Sequence, residues 1–260
     1  MIGLFTHINF YLLLIAAFAA GFVDSIVGGG GLIQLPAMFL AFPLLPHPVI
    51  MGSNKFAGFS GTVVATIQFL RNAKARWKIL LPAIVLSLIF AVIGARMVSM
   101  FDPKLIKPLI LLLLVLVAIY TSVKKNIGMH EKPPLKKEWA FVASALTGII
   151  IGFYDGFFGP GTGSFLIVIF VSIFGFDFLN ASVSAKLINC STNIAALSYF
   201  IIEGKINFGI AIPVAVMNIC GSILGVRLAI KKGSGFVRAF FLIVVTGLIL
   251  KFAYDIFFSK

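Results

Sequence analysis

The chain has 260 residues, of which 60% are hydrophobic and 11% charged, with a mean hydropathy of +1.12 and a formal net charge of +13. Soluble domains hold roughly 25% charged residues, and no single core of this size could hide so much apolar surface, so lipid must be the solvent for most of the chain. The Lys and Arg residues sit mainly in short breaks between apolar runs, which fits membrane-flanking charge and speaks against nucleic acid as a partner.

A membrane span needs about 20 mostly apolar residues. The first run, residues 8–27, contains Ala17-Phe18-Ala19, which resembles a signal-peptidase site. Residues 1–7 carry no Lys or Arg, however, so the run is predicted to stay as a helix. Asp24 lies near its end, followed by the glycine cluster Gly28, Gly29, Gly30 and Gly31 and a shorter apolar piece at 32–45. Full-length runs follow at 52–70, 79–100 and 105–123. The run at 52–70 opens on Ser53, Asn54 and Lys55 and continues through Ser60, Thr62, Thr66 and Gln68. Arg96 lies near the end of the next run, where snorkelling to the interface is its default role.

The stretch Lys124–Lys137 holds five lysines and two prolines and reads as a solvated cytoplasmic linker. Beyond it, full-length runs at 139–158, 183–202, 207–230 and 235–257 surround a second short piece at 164–176. Asp155 precedes Gly159, Pro160, Gly161 and Gly163, while Lys186 opens a polar stretch with Asn189, Ser191, Thr192 and Asn193. Cys190 and Cys220 lie inside apolar runs and read as small packing residues. No Cys/His spacing supports a metal, and no cofactor is expected.

One constant offset of 131 residues relates the two parts. Gly21-Phe22-Val23-Asp24 answers to Gly152-Phe153-Tyr154-Asp155, Lys55 to Lys186, and Gly94-Ala95-Arg96 to Gly225-Val226-Arg227. Chance similarity between apolar runs does not align Asp, Lys, Arg and Gly without a gap. The expected fold is therefore an all-α membrane protein of two tandem repeats. Each repeat would hold about four full spans and one shorter helix broken by glycine, with repeats at 1–123 and 139–260 and a linker at 124–138. If the short pieces are re-entrant, both halves point the same way; if they cross, the second half is inverted. Flanking charge leans only slightly toward inversion.

Consecutive glycines cost about 1 kcal/mol each in helix propensity. A helix break at membrane depth persists only where protein or a water-filled cavity satisfies the freed backbone. Close helix packing also favours small residues, but it explains Gly28–Gly31 or Gly159-Pro160-Gly161 poorly. The breaks are therefore expected to line a cavity and to aim helix N-termini at a ligand. Ionisable groups in apolar segments usually face an interior or a pathway. Asp24, Asp155, Lys55 and Lys186 thus join Asn54, Asn189, Asn193 and the glycines as candidate pathway residues. If the halves are inverted, Lys186 joins Asp24 and Lys55 joins Asp155.

The segments GFVDSIVGGGGLIQLP, SNK, GFYDGFFGPGTGSF and SAKLINCSTNIAAL resemble the sulfite exporter TauE/SafE family, and the likeness runs from about residue 12 to 257. That resemblance implies a duplicated helical transporter of the bacterial inner membrane, multi-pass, carrying sulfite, sulfonates or other small sulfur or organic anions. The expected partners are thus a small anion and the lipid bilayer. The coupling ion (proton or sodium) and any homo-oligomer stay open. No GxxxxGK[ST] motif is present, so direct use of ATP is not expected. An anion channel is the alternative. An intramembrane aspartyl protease is the weaker rival, because Tyr154-Asp155 lacks its GxGD partner and two aspartates would have to share a proton.

Overall fold

The computed structural model describes residues 2–72, 75–97, 115, 128–131, 135–159 and 161–257. These fold as α-helices: α1 (Ile2–Val27), α2 (Gly31–Ala41), α3 (His47–Asn72), α4 (Trp77–Met97), α5 (Lys137–Phe157), α6 (Thr162–Ser172), α7 (Phe178–Ile202) and α8 (Phe208–Phe257). Five stretches are long and apolar enough to cross a membrane, namely Phe10–Val27, Trp77–Met97, Lys137–Phe157, Phe178–Ile202 and Phe208–Gly247. Their outward faces are apolar: Ile15, Val85, Ile89, Ile150, Ile212 and Val216 are all more than half exposed, as a lipid-facing surface requires. Trp77 and Trp139 sit at the first turns of α4 and α5 and are exposed, the usual place for interfacial anchors.

Seven of the eight expected full-length runs fall on described residues, and all seven are helical. The run at 52–70 does form a long helix, α3, but its polar residues keep it out of the five apolar spans. The runs at 207–230 and 235–257 are the two arms of α8, which joins them at Gly233, where φ is +70° and ψ −168°. The chain reverses there, because Gly225 of the first arm and Phe240 of the second both lie against Phe22. The run at 105–123, residue 115 apart, and half of the stretch 124–137 lie outside the described residues. The two shorter pieces are real and helical, at 11 residues each.

Glycine sets how the long helices meet. A methyl on Gly152 would fall 2.6 Å from the Ser87 backbone, and one on Gly156 2.0 Å from the Ala91 carbonyl oxygen. Gly148 likewise sits on Ala83. The contacts advance together along both chains, so α4 and α5 run parallel at backbone-to-backbone range, as small residues allow in lipid. The first arm of α8 treats α1 the same way: Gly21 lies on Asn218, Gly221 on Phe18, and Gly225 on Phe22. By contrast, α3 and α7 run antiparallel, with Gly52 against Phe200 at one end and the Thr66 hydroxyl 3.5 Å from the Lys186 carbonyl at the other.

Candidate functional site

Both glycine clusters turn the chain back on itself. Gly28 and Gly29 end α1 at φ +76° and +88°, and Gly159 and Gly161 follow α5 at +88° and +90°. Side-chain-bearing residues reach this left-handed region only at a cost of roughly 1–2 kcal/mol. A methyl on Gly30 would lie 2.3 Å from the Ala20 carbonyl oxygen and 2.5 Å from the Asp24 β-carbon, so α2 starts directly over the last turns of α1. It then returns along α3, where the Gln34 amide donates to Asn54 Oδ1 at 2.9 Å. The two breaks also touch each other. A methyl on Gly28 would fall 2.4 Å from the Gly163 α-carbon, and one on Gly163 2.6 Å from that of Gly28.

Around this contact lies a cavity with about 60 Å³ of room, several times the roughly 10–15 Å³ that one water needs. Asp24, Gly29, Gly30 and Gly31 line it from the first break, and Asp155, Gly159, Gly161 and Gly163 from the second. Asn54 and Lys55 face it from α3, and Asn189 and Asn193 from α7. The N-termini of α2 and α6 therefore both open on it, with the positive ends of their dipoles inward. Two predicted residues do not line the cavity. Gly28 is used up in the contact with Gly163, and Lys186, only 3% exposed, stands behind Asp24.

The four charges form two crossed pairs. Lys55 Nζ donates to Asp155 Oδ2 at 3.3 Å and to the Asp155 carbonyl at 3.1 Å. Lys186 Nζ is paired with Asp24 Oδ2. Each pair joins a lysine of one half to an aspartate of the other. The remaining carboxylate oxygens are also held: Asp24 Oδ1 accepts from the Gly30 N–H at 3.2 Å, and Asp155 Oδ1 from the Thr162 hydroxyl at 2.8 Å. The site is thus overall neutral, with one cation and two carboxylates facing the cavity.

The hydroxyl-rich stretches contribute less than their composition suggests. Ser60, Thr66, Ser191 and Thr192 donate to carbonyls of their own helices, the local back-bonding such residues often adopt. The amides matter more. Gln34 and Asn218, which the sequence reading passed over, are 1% and 4% exposed. Asn218 Nδ2 donates to Gln34 Oε1 at 2.7 Å, completing a polar chain from α3 through α2 to α8 along the cavity wall. Each is an isolated amide in an apolar run, and that cost was the signal available. Thr62 and Thr162 are further lining residues. Cys220, expected to pack, is exposed. Among the described residues no group of His, Cys, Asp or Glu is arranged to hold a metal ion.

The profile of the family described as sulfite exporter TauE/SafE matches residues 13–252. A probable membrane transporter protein of Sinorhizobium, ORF9, is 33% identical over 243 residues, covering 94% of this chain and 92% of its own. The probable membrane transporter protein YfcA of Escherichia coli K12 is 30% identical, covering 94% and 89%. A Haemophilus influenzae relative of the same description is 28% identical, covering 94% of each chain. No solved structure matches. The family and these relatives are described as transporters rather than enzymes, and the apolar helices make the chain a multi-pass protein of the bacterial inner membrane. The chain belongs to the sulfite exporter TauE/SafE family of membrane transporters.

Proposed function

We propose that the chain is a secondary carrier of a small anion, of the sulfite or sulfonate class, that binds in the central cavity between two inverted tandem repeats. The family description supports the class of cargo. The single observation that carries the site is the crossing of the ion pairs at two abutting helix breaks. A lysine ammonium in a partly dry cavity attracts an anion far more strongly than it would in water. Here Lys55 is joined by two helix N-termini and by the amides of Asn54 and Asn189, which can donate to oxyanion oxygens, while the Asn193 amide donates to Asn189.

Inversion is supported by helix direction. The helices α3 and α7 correspond at the 131-residue offset and run antiparallel, while α1 runs parallel to the first arm of α8, and α4 to α5. Repeats at 1–123 and 139–260 joined through 124–138 account for both relations. Alternating exposure of a fixed midplane site between such halves is the usual mode of secondary transporters.

The test is transport by the purified protein in proteoliposomes, preceded by a thermal-stabilisation screen of sulfite, thiosulfate, sulfonates and carboxylates. A carrier gives saturable exchange of labelled anion, accelerated by unlabelled anion on the opposite side. Flux that rises without saturation and ignores the opposite side would identify a channel and sink the carrier reading.

A further inference from the structure

We infer that the anion travels with one proton and that Asp155 is the group that binds it; this rests on the anion-carrier reading above. The charges at the site already cancel: Lys55 and Lys186 against Asp24 and Asp155. An added anion leaves an uncompensated negative charge where the effective dielectric is low, unless a positive charge enters too. Lys55 is the lysine that faces the cavity, and its ammonium is committed to Asp155. An anion taking that ammonium strips Asp155, a side chain 2% exposed, of its counter-charge.

The hydrogen bonds around Asp155 suit a neutral carboxyl. The Thr162 hydroxyl stands 2.8 Å from Asp155 Oδ1 and 2.6 Å from the Gly159 carbonyl oxygen, two acceptors for a hydroxyl that owns one proton. While Asp155 is ionised, the hydroxyl can serve only one of the two, although the Gly159 carbonyl also accepts from the Thr162 N–H at 3.2 Å. A proton on Oδ1 resolves this, since the carboxyl O–H then donates to Thr162 Oγ1 and the Thr162 hydroxyl donates to Gly159. In the other half the position equivalent to Thr162 is Gly31, with no hydroxyl, and Asp24 keeps its own lysine.

The other ionisable groups around Asp155 are few. Lys55 comes from α3, and Tyr154 adjoins it on α5. Asp24 of α1 lines the same cavity, with Lys186 of α7 behind it. Among the described residues α6 offers no ionisable group, and those of α4, Lys78 and Arg96, lie at its two ends. In the step itself, the Asp155–Lys55 pair opens, Lys55 pairs with the anion, and an O–H bond forms at Asp155 with a proton from water in the cavity. Release of the anion on the far side returns that proton to water there.

Proteoliposomes test this with labelled methanesulfonate and thiosulfate, whose charge is constant near neutral pH. Exchange at equal pH on both sides first establishes which probe is carried. Net uptake is then measured with the membrane potential clamped and the lumen alkaline. For a monovalent anion with one proton, accumulation approaches about 10-fold per pH unit, and anion entry alkalinises the outer medium. Asp155→Asn, which keeps the hydrogen bonds of a neutral carboxyl, loses pH-driven accumulation and the alkalinisation that accompanies anion entry. Thr162→Val needs more acid to reach the same rate. If exchange is intact and accumulation follows a sodium gradient or the potential while ignoring pH, the proton inference is wrong and the carrier reading stands. If no probe exchanges or stabilises the protein, both fall. The proton flux of the unaltered protein decides the matter even if a variant fails to fold.

Discussion

The two ion pairs occupy equivalent positions in sequence but present opposite faces to the cavity. At one, Lys55 lines the cavity with its side chain 12% exposed, while its partner Asp155 is 2% exposed. At the other, the lysine is hidden and Asp24 is the accessible member, 22% against 3% for Lys186. The walls differ in the same sense. Where α3 offers Gly58 and Thr62, the equivalent positions of α7 are Asn189 and Asn193. On the proposed reading, a repeat supplies the charges twice, and divergence decides which copy meets the ligand and which braces the site.

The sharpest way to break this comparison is at the contact between the breaks. Gly28→Ala adds both a left-handed strain and an overlap with the Gly163 backbone, together more than about 2 kcal/mol. Folded yield in detergent should fall severely, and Gly163→Ala should do the same from the opposite side. Next come the lysines. Removing Lys186 strands Asp24 and should cost on the order of 3 kcal/mol of stability, recovered by adding Asp24→Asn; melting curves of Lys186→Gln alone and with Asp24→Asn read this directly. Lys55→Gln strands Asp155 unless that carboxyl takes a proton, and should in addition weaken anion binding by at least ~10-fold, measured by the ligand-induced rise in Tm. If the two lysine variants behave alike, the division of labour is wrong.

Smaller effects sharpen the picture. Gly161→Leu has room for its β-carbon, with nothing nearer than 3.6 Å, but a backbone at φ +90°, so transport should drop more than membrane insertion does. Gly30→Leu overlaps Ala20 and Asp24 and should be the worse of the two. For orientation, a reporter fused after Asp255 should be active only on the periplasmic side if the halves are inverted. Activity confined to the cytoplasm would restore the parallel arrangement.

Much of this was written in the chain. The paired aspartates, lysines and glycine breaks are ionisable or helix-breaking residues where lipid tolerates neither without cause, so they stand out without a structure. The short helices α2 and α6 followed from the same logic. Helix direction was not legible from charge, because the parallel and inverted topologies place nearly the same number of flanking Lys and Arg inside; it emerges from which glycine meets which backbone. Ser60, Thr66, Ser191 and Thr192 could not be assigned, since a hydroxyl that bonds its own helix has the same letter as one that faces a cavity. Gln34 escaped because its counterpart at the 131-residue offset is Phe165, so comparing the halves hid it.

The parallel glycine seams have a mechanical consequence. Each seam rivets a helix from one half to a helix from the other, α1 to the first arm of α8 and α4 to α5. Backbones in direct contact have no compliant side chains between them to absorb sliding. The stiff pieces of the machine are therefore two struts, each of mixed parentage, and a motion that opens the cavity to one side has to tilt strut against strut rather than half against half. Cutting the chain in the linker would yield two fragments that are each missing one side of both struts.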